Sequence, residues 1–117
     1  ALHHKLCHVL GGTFDLPHAE THTVVLPHAT AYNAPSSTEA MQRIARALGA
    51  PTAAQGLYDL ARSLSAPLSL KDIGMPEAGL DKTADIAVSN PYPNPRKLER
   101  EAIRALLHDA YFGRRPA

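Results

Sequence analysis

Apolar residues recur at intervals of three and four along most of the chain, the period of a helix with one face turned inward. Leu2, Leu6, Val9 and Leu10 make the first such face and predict a helix from Ala1 to Leu10 that stops at Gly11-Gly12. A loop from Thr13 to Pro17 follows, with Pro17 at or just before the next helix start. The stretch from His18 to Asn33 carries mixed signals. Thr21, Thr23, Val24 and Val25 are β-branched and suit a strand, and Pro27 removes a donor from a helical ladder. A helix kinked at Pro27 is expected.

Ser36 with Glu39 three residues later reads as a capping box, opening a helix with Met41, Ile44, Ala45 and Leu48 on one face before Gly49. Pro51 to Leu64 repeats the pattern with Leu57, Leu60, Ala61 and Leu64, and ends before Pro67. Leu68 to Gly74 is a short connector. Pro76 to Val88 carries Leu80, Ala84, Ala87 and Val88 on one face. The run Asn90-Pro91-Tyr92-Pro93-Asn94-Pro95 is neither helix nor central strand, because proline supplies no amide donor. Asn94 is expected to cap a last helix with Pro95 at its first position, its inner face made by Ile103, Leu106, Leu107 and Ala110 before Gly113. The pattern as a whole predicts an all-α fold, a bundle of about six helices in a single domain spanning residues 1–117.

Composition narrows the function classes. Apolar residues make up 44% and charged residues 20% of the 117, so the chain has the material for a core. A formal net charge of +1 gives no electrostatic case for nucleic acid or an anionic membrane surface. Trp is absent and aromatics are 5%, which disfavours stacking platforms for bases. No apolar run approaches bilayer length. The single Cys7 cannot form an internal disulfide, so a reducing cytoplasm is the expected compartment. Neither a G-x-G-x-x-G nor a Walker pattern is present. The chain opens at Ala1 without a methionine, inside an apolar pattern and without a cap, and so reads as part of a longer protein.

Histidine changes the picture. Six of the 7 histidines (His3, His4, His8, His18, His22 and His28) fall before residue 29. His4 and His8 are one helical turn apart, and so are His18 and His22, so each pair projects from one helix face. Neutral imidazole is the commonest transition-metal ligand and also the side chain best suited to move a proton near neutral pH. The same spacing arises where histidines simply flank the surface of Ala/Leu-rich helices. His3, His28 and His108 are expected to be exposed or satisfied by backbone contacts.

The run Ala1-Leu2-His3-His4-Lys5-Leu6-Cys7-His8-Val9-Leu10-Gly11-Gly12-Thr13-Phe14-Asp15-Leu16-Pro17-His18 resembles the signature of the iron-containing (group III) alcohol dehydrogenases. In that family a His-x-x-x-His-x-x-Gly segment is followed, after a short loop, by a Pro-His that starts the next helix. Leu26-Pro27-His28, Tyr32-Asn33 and Asn94-Pro95-Arg96 also match. Within the family the resemblance is to the maleylacetate reductases, which carry His-His-Lys-Leu-Cys-His and then Pro-His-Ala-Glu-x-His where alcohol dehydrogenases have Pro-His-Gly. It is strong over Leu2 to Asn33 and Asn90 to Pro116, and rests mostly on helical pattern and Gly74-Met75 between them.

The resemblance implies the C-terminal helical part of a dehydroquinate synthase-like fold, with the dinucleotide-binding domain lying upstream of this chain. It implies an oxidoreductase that uses NADH or NADPH to reduce the alkene of maleylacetate to 3-oxoadipate in aromatic-compound catabolism, the isolated chain being inactive. His4 and His18 fall at metal-ligand positions for a divalent iron or zinc ion, and His8 at the position beside nicotinamide and substrate, where it relays or orients a proton. His22, part of the Ala-Glu-x-His variation, and Lys5 would contact a carboxylate of the dianionic substrate. The implied partners are that dicarboxylate, the protein's own N-terminal domain and a second copy in a homodimer, with no nucleic acid or membrane. Two other readings stay open: a metal-dependent alcohol dehydrogenase of the same family, and a non-catalytic helical module for metal binding or subunit contact.

Overall fold

The expected order of helices is present in the computed structural model, which describes residues 1–89 and 92–117; Asn90 and Pro91 of the proline-rich run lie outside the described residues. The helices are α1 (Leu2–Phe14), α2 (His18–Asn33), α3 (Thr38–Leu48), α4 (Ala53–Ser63), α5 (Leu80–Ser89) and α6 (Arg100–Phe112). Short 3-10 turns at Ala34–Ser36 and Glu77–Gly79 precede α3 and α5, and the described residues contain no strand. The core lies between α1, α2, α5 and α6, where Leu2, Leu6, Leu10, Val25, Leu70, Ile103 and Leu107 are fully buried. No helix among the described residues is long and apolar enough to cross a membrane.

One helix, α1, differs from expectation in a way that bears on the site, and a second, α2, takes the expected span. α1 does not stop at Gly11-Gly12 but runs through both to Phe14, where Asp15 closes it in the left-handed conformation (φ 54°) with its N–H on the Gly11 carbonyl at 3.0 Å. Leu10 and Phe14 are one turn apart and both face the core. Burying that further turn outweighs the roughly 1 kcal/mol that each interior glycine costs a helix. α2 is helical from end to end with Pro27 inside it. Its β-branched residues are accommodated by local bonds: Thr21 Oγ1 donates to the Pro17 carbonyl (2.6 Å) and Thr23 Oγ1 to the Ala19 carbonyl (3.0 Å).

The helix starts at α3 and α6 are also corrected. Ser36 sits in the 3-10 turn, Ser37 precedes α3 without a side-chain cap, and Glu39 pairs with Arg43 at 2.8 Å, so the capping box does not form. α6 begins at Arg100 rather than Pro95. Asn94 is a tie between elements instead of a cap for α6. Its Oδ1 accepts the Leu2 N–H at the head of α1 (3.1 Å), while its Nδ2 donates to Asn33 Oδ1 (2.8 Å) and the Arg96 carbonyl (2.7 Å). Tyr32 holds the next residues down, donating to the Lys97 carbonyl (2.5 Å) and accepting the Glu99 N–H (3.0 Å), with the Arg96 guanidinium 4.2 Å over its ring.

In α4 the inward face is Ala53, Ala54, Tyr58 and Ala61. Of the expected set only Ala61 is buried; Leu57 is half-buried, and Leu60 and Leu64 are exposed. Contacts with the chain's last residues set this orientation. Tyr58 Oη donates to the Gly113 carbonyl (2.6 Å), Gln55 Nε2 to the Pro116 carbonyl (3.0 Å), and Arg115 grips both Asp59 oxygens (3.0 and 2.9 Å).

Candidate functional site

α1 and α2 pack along each other, joined by only the short segment Asp15–Pro17. This juxtaposition brings the two histidine pairs to one place. His4, Cys7, His8, Gly11, Gly12, His18 and His22 line a recess of about 210 Å³. The His4 and His8 rings lie nearly parallel with centroids 6.5 Å apart, and the His18 and His22 rings are 4.2 Å apart. His4, His8 and His18 are exposed to the recess side and His22 is half-buried.

The glycines, expected to end the helix, are part of this wall. Apart from adjoining residues and the helix's own backbone, no atom of the described residues lies within 4 Å of where a Cβ would stand on either. They keep the recess open and leave backbone approachable at its floor, a role for which glycine is the default residue. The signal was present as two glycines inside a run whose apolar spacing continues from Leu10 to Phe14.

Two further residues stand beside this set. His3 is expected only to be exposed or backbone-satisfied, and its Nε2 does donate to the His22 carbonyl at 3.1 Å. Its ring also meets His22 edge-on at 5.0 Å. Cys7, expected only to report the redox compartment, is buried beside them, and burial pushes its thiol up to about 12. Burial, then the neighbouring imidazoles of His18, His3 and His4, holds His22 below the ordinary histidine range.

Lys5 is not among the residues lining the recess; its Nζ stands 5.8 Å over the Tyr92 ring. His28 departs from expectation, being 4% exposed with no hydrogen-bond partner for its Nε2 among the described residues. Burial lowers it to about 4 against a weaker pull from Asp109. His108 lies 4.9 Å from the Phe112 ring, away from the recess. A second recess of about 260 Å³, between α2, α3 and α4, is lined by residues such as Ala31, Met41, Ala45 and Ala54 and carries no titratable side chain. The α1–α2 recess is the one, among those described, that gathers the histidines; two others carry Asp59, and Tyr92 with Arg96 and Lys97.

The donor set suits a divalent transition metal in kind: His4 and His18 present two imidazoles to the same recess. Two side chains are half of a tetrahedral set, so any ion held there draws its other ligands from beyond this pair.

The pattern describing the Fe-containing alcohol dehydrogenase family, C-terminal, matches residues 1–111. The chain belongs to the iron-containing alcohol dehydrogenase family. It is similar to a maleylacetate reductase from Burkholderia cepacia, 62% identical over 99% of this chain and 33% of that protein. Among solved structures, a maleylacetate reductase from Agrobacterium tumefaciens is 48% identical with a TM-score of 0.95, covering 99% of this chain and 33% of the other. An alcohol dehydrogenase from Oenococcus oeni is 30% identical with a TM-score of 0.80, covering 93% and 32%. This chain thus spans about a third of the length of the relatives it matches.

Proposed function

We propose that this chain is the helical C-terminal region of an NADH- or NADPH-dependent maleylacetate reductase, with the α1–α2 recess forming one wall of its active site. The observation that carries the reading is the convergence of His4, His8, His18 and His22 on a recess floored by Gly11 and Gly12. Curated relatives at 47–62% identity are maleylacetate reductases, which supports the reductase reading. A solved structure that carries the name of an alcohol dehydrogenase is also 62% identical, so the choice between the two activities falls to the assay below. The relatives' greater length supports an upstream dinucleotide-binding domain as the partner of this wall. We further place the protein in the cytoplasm as a homodimer.

The reduction adds a hydride and a proton across a carbon–carbon double bond conjugated to a keto group. When bound, reduced nicotinamide would supply the hydride, and a divalent ion at His4 and His18 would supply Lewis acidity. The chain's own residues then have two tasks. The first is the proton: His8, exposed on the recess wall, carries an imidazole that can deliver one as enolate-like charge builds on the substrate. The second is binding of a dianion. Burial, then the neighbouring imidazoles, disfavours protonation of His22, and an incoming carboxylate favours it, so substrate binding and His22 protonation support each other. Lys5 supplies a second cation for the other carboxylate once its long stem swings Nζ away from the Tyr92 ring.

The test is an assay of the full-length protein with maleylacetate against simple alcohols. NADH or NADPH oxidation with maleylacetate supports the reading. Turnover only with alcohols and bound iron or zinc assigns the alcohol dehydrogenase class instead, and no turnover with either leaves the non-catalytic module.

A further inference from the structure

We propose that His3, Cys7 and His22 form a second metal site, selective for a thiophilic divalent ion such as zinc and distinct from the His4–His18 pair. One ligand atom from each of the three residues lies within 4.8 Å of the others. Residues 3 and 7 are one helical turn apart on α1, and His22 reaches them from α2 across the helix pair. Around a tetrahedral zinc ion, one sulfur and two imidazole nitrogens stand roughly 3.3–3.6 Å apart, so the widest pair must close by about 1 Å, within the reach of histidine rotamers.

Orientation of the rings supports the set independently. The carbonyl of His22 can only accept, so His3 Nε2 carries the hydrogen and, in the neutral ring, Nδ1 keeps the lone pair. A metal-ligating histidine characteristically donates its other N–H to just such a backbone carbonyl, which fixes the ring and its tautomer. The thiol supplies the discrimination. A soft sulfur with two imidazoles favours zinc or cobalt over magnesium or calcium. In the empty site Cys7 stays protonated, so the ion displaces one proton as the metal–sulfur bond forms. Cys7 and His22 both border the recess, which leaves a fourth coordination position open on that side.

The set differs in purpose from the family-type pair. His4 and His18 contribute nitrogen alone from exposed positions, whereas Cys7 is 3% exposed and its partners are half-buried. Occupation of the second site engages His22 and removes it from the recess, so a bound ion and the dicarboxylate compete for that residue.

The experiment is cobalt titration of the full-length protein after chelator treatment, read by the near-ultraviolet charge-transfer absorption that a cobalt–thiolate bond produces. The expected result is one such cobalt per chain, with the absorption lost in Cys7→Ser and the apparent Kd weakened about tenfold or more in His3→Ala. The absorption should survive in His4→Ala, which leaves all three ligands intact. Cys7→Ala, which removes only the sulfur from a buried position, repeats the test with less polarity. No Cys7-dependent absorption in the folded protein overturns the proposal. So does absorption that disappears in His4→Ala but persists in His3→Ala, because the thiol would then be serving the family-type site.

Discussion

The α1–α2–α5–α6 part of the molecule and its α3–α4 flank pack differently, although α3 and α4 carry the more one-sided apolar patterns. Leu2, Leu6, Leu10, Ile103 and Leu107 have no exposure at all. α3 has no buried residue, and Ile44 and Leu48 on its apolar face remain 37% exposed. Periodicity reports that a helix has a face to cover; it does not report what covers it. Chemistry divides along the same line. The four recess histidines belong to α1 and α2, and neither recess described on the flank side is lined by a histidine.

The sharpest contrast should appear on truncating leucines. Leu6→Ala or Leu107→Ala should cost about 2–5 kcal/mol in denaturant unfolding, since each leaves a cavity in a closed core. Leu64→Ala, at a side chain 71% exposed, should change stability by no more than about 0.5 kcal/mol. Equal losses at the two sites would erase the distinction between core and flank.

Acid should act through the core side of the comparison. His28 takes a proton readily when unfolded, near 6.5, but only near 4 when folded. Its contribution is therefore full above pH 6.5 and is lost as pH falls toward 4, by about 3 kcal/mol at most. Comparing unfolding of the wild type and His28→Asn across that window checks it: the difference between them should shrink as pH falls, and a pH-independent difference would refute the buried neutral histidine.

Smaller effects separate the two roles of glycine. A Cβ on Gly56 would stand 2.8 Å from Ala50 Cβ and 2.9 Å from Leu48 Cδ1. Gly56→Ala should therefore pry α3 from α4 at a cost of about 1–3 kcal/mol, visible as faster amide exchange in α3 with α1 unchanged. Gly12→Ala meets open space, so it should stabilise α1 by about 0.5–1 kcal/mol while raising KM, because the added methyl intrudes on the recess. A KM unchanged in the Gly12 variant would remove the glycine floor from the site.

The helical class was legible because a 3.6-residue period is a local property, and so was the pairing of His4 with His8 and of His18 with His22. Contacts across elements were not. Asn94 precedes a proline in the manner of a helix cap, yet its partners are the backbone of Leu2 and the side chain of Asn33, far away in sequence. Leu60 and Leu64 sit at helical spacing like the core leucines, but α4 is turned by Tyr58, Gln55 and Asp59 binding the chain's last residues, which spacing cannot encode. Cys7 shares a helix face with His3 in the sequence itself. The third member, His22, joins them only when α2 folds back on α1.

The central claim, that the α1–α2 recess is where the reaction occurs, is tested most directly by steady-state kinetics of His8→Ala in the full-length protein with maleylacetate. His8 lines the recess without taking part in the core, so folding by circular dichroism should be preserved. A proton-delivering role predicts a fall in kcat of about two to four orders of magnitude. In contrast, His22→Ala should mainly raise KM, because a carboxylate contact is present in both ground and transition states. An unchanged kcat in folded His8→Ala protein would contradict the account.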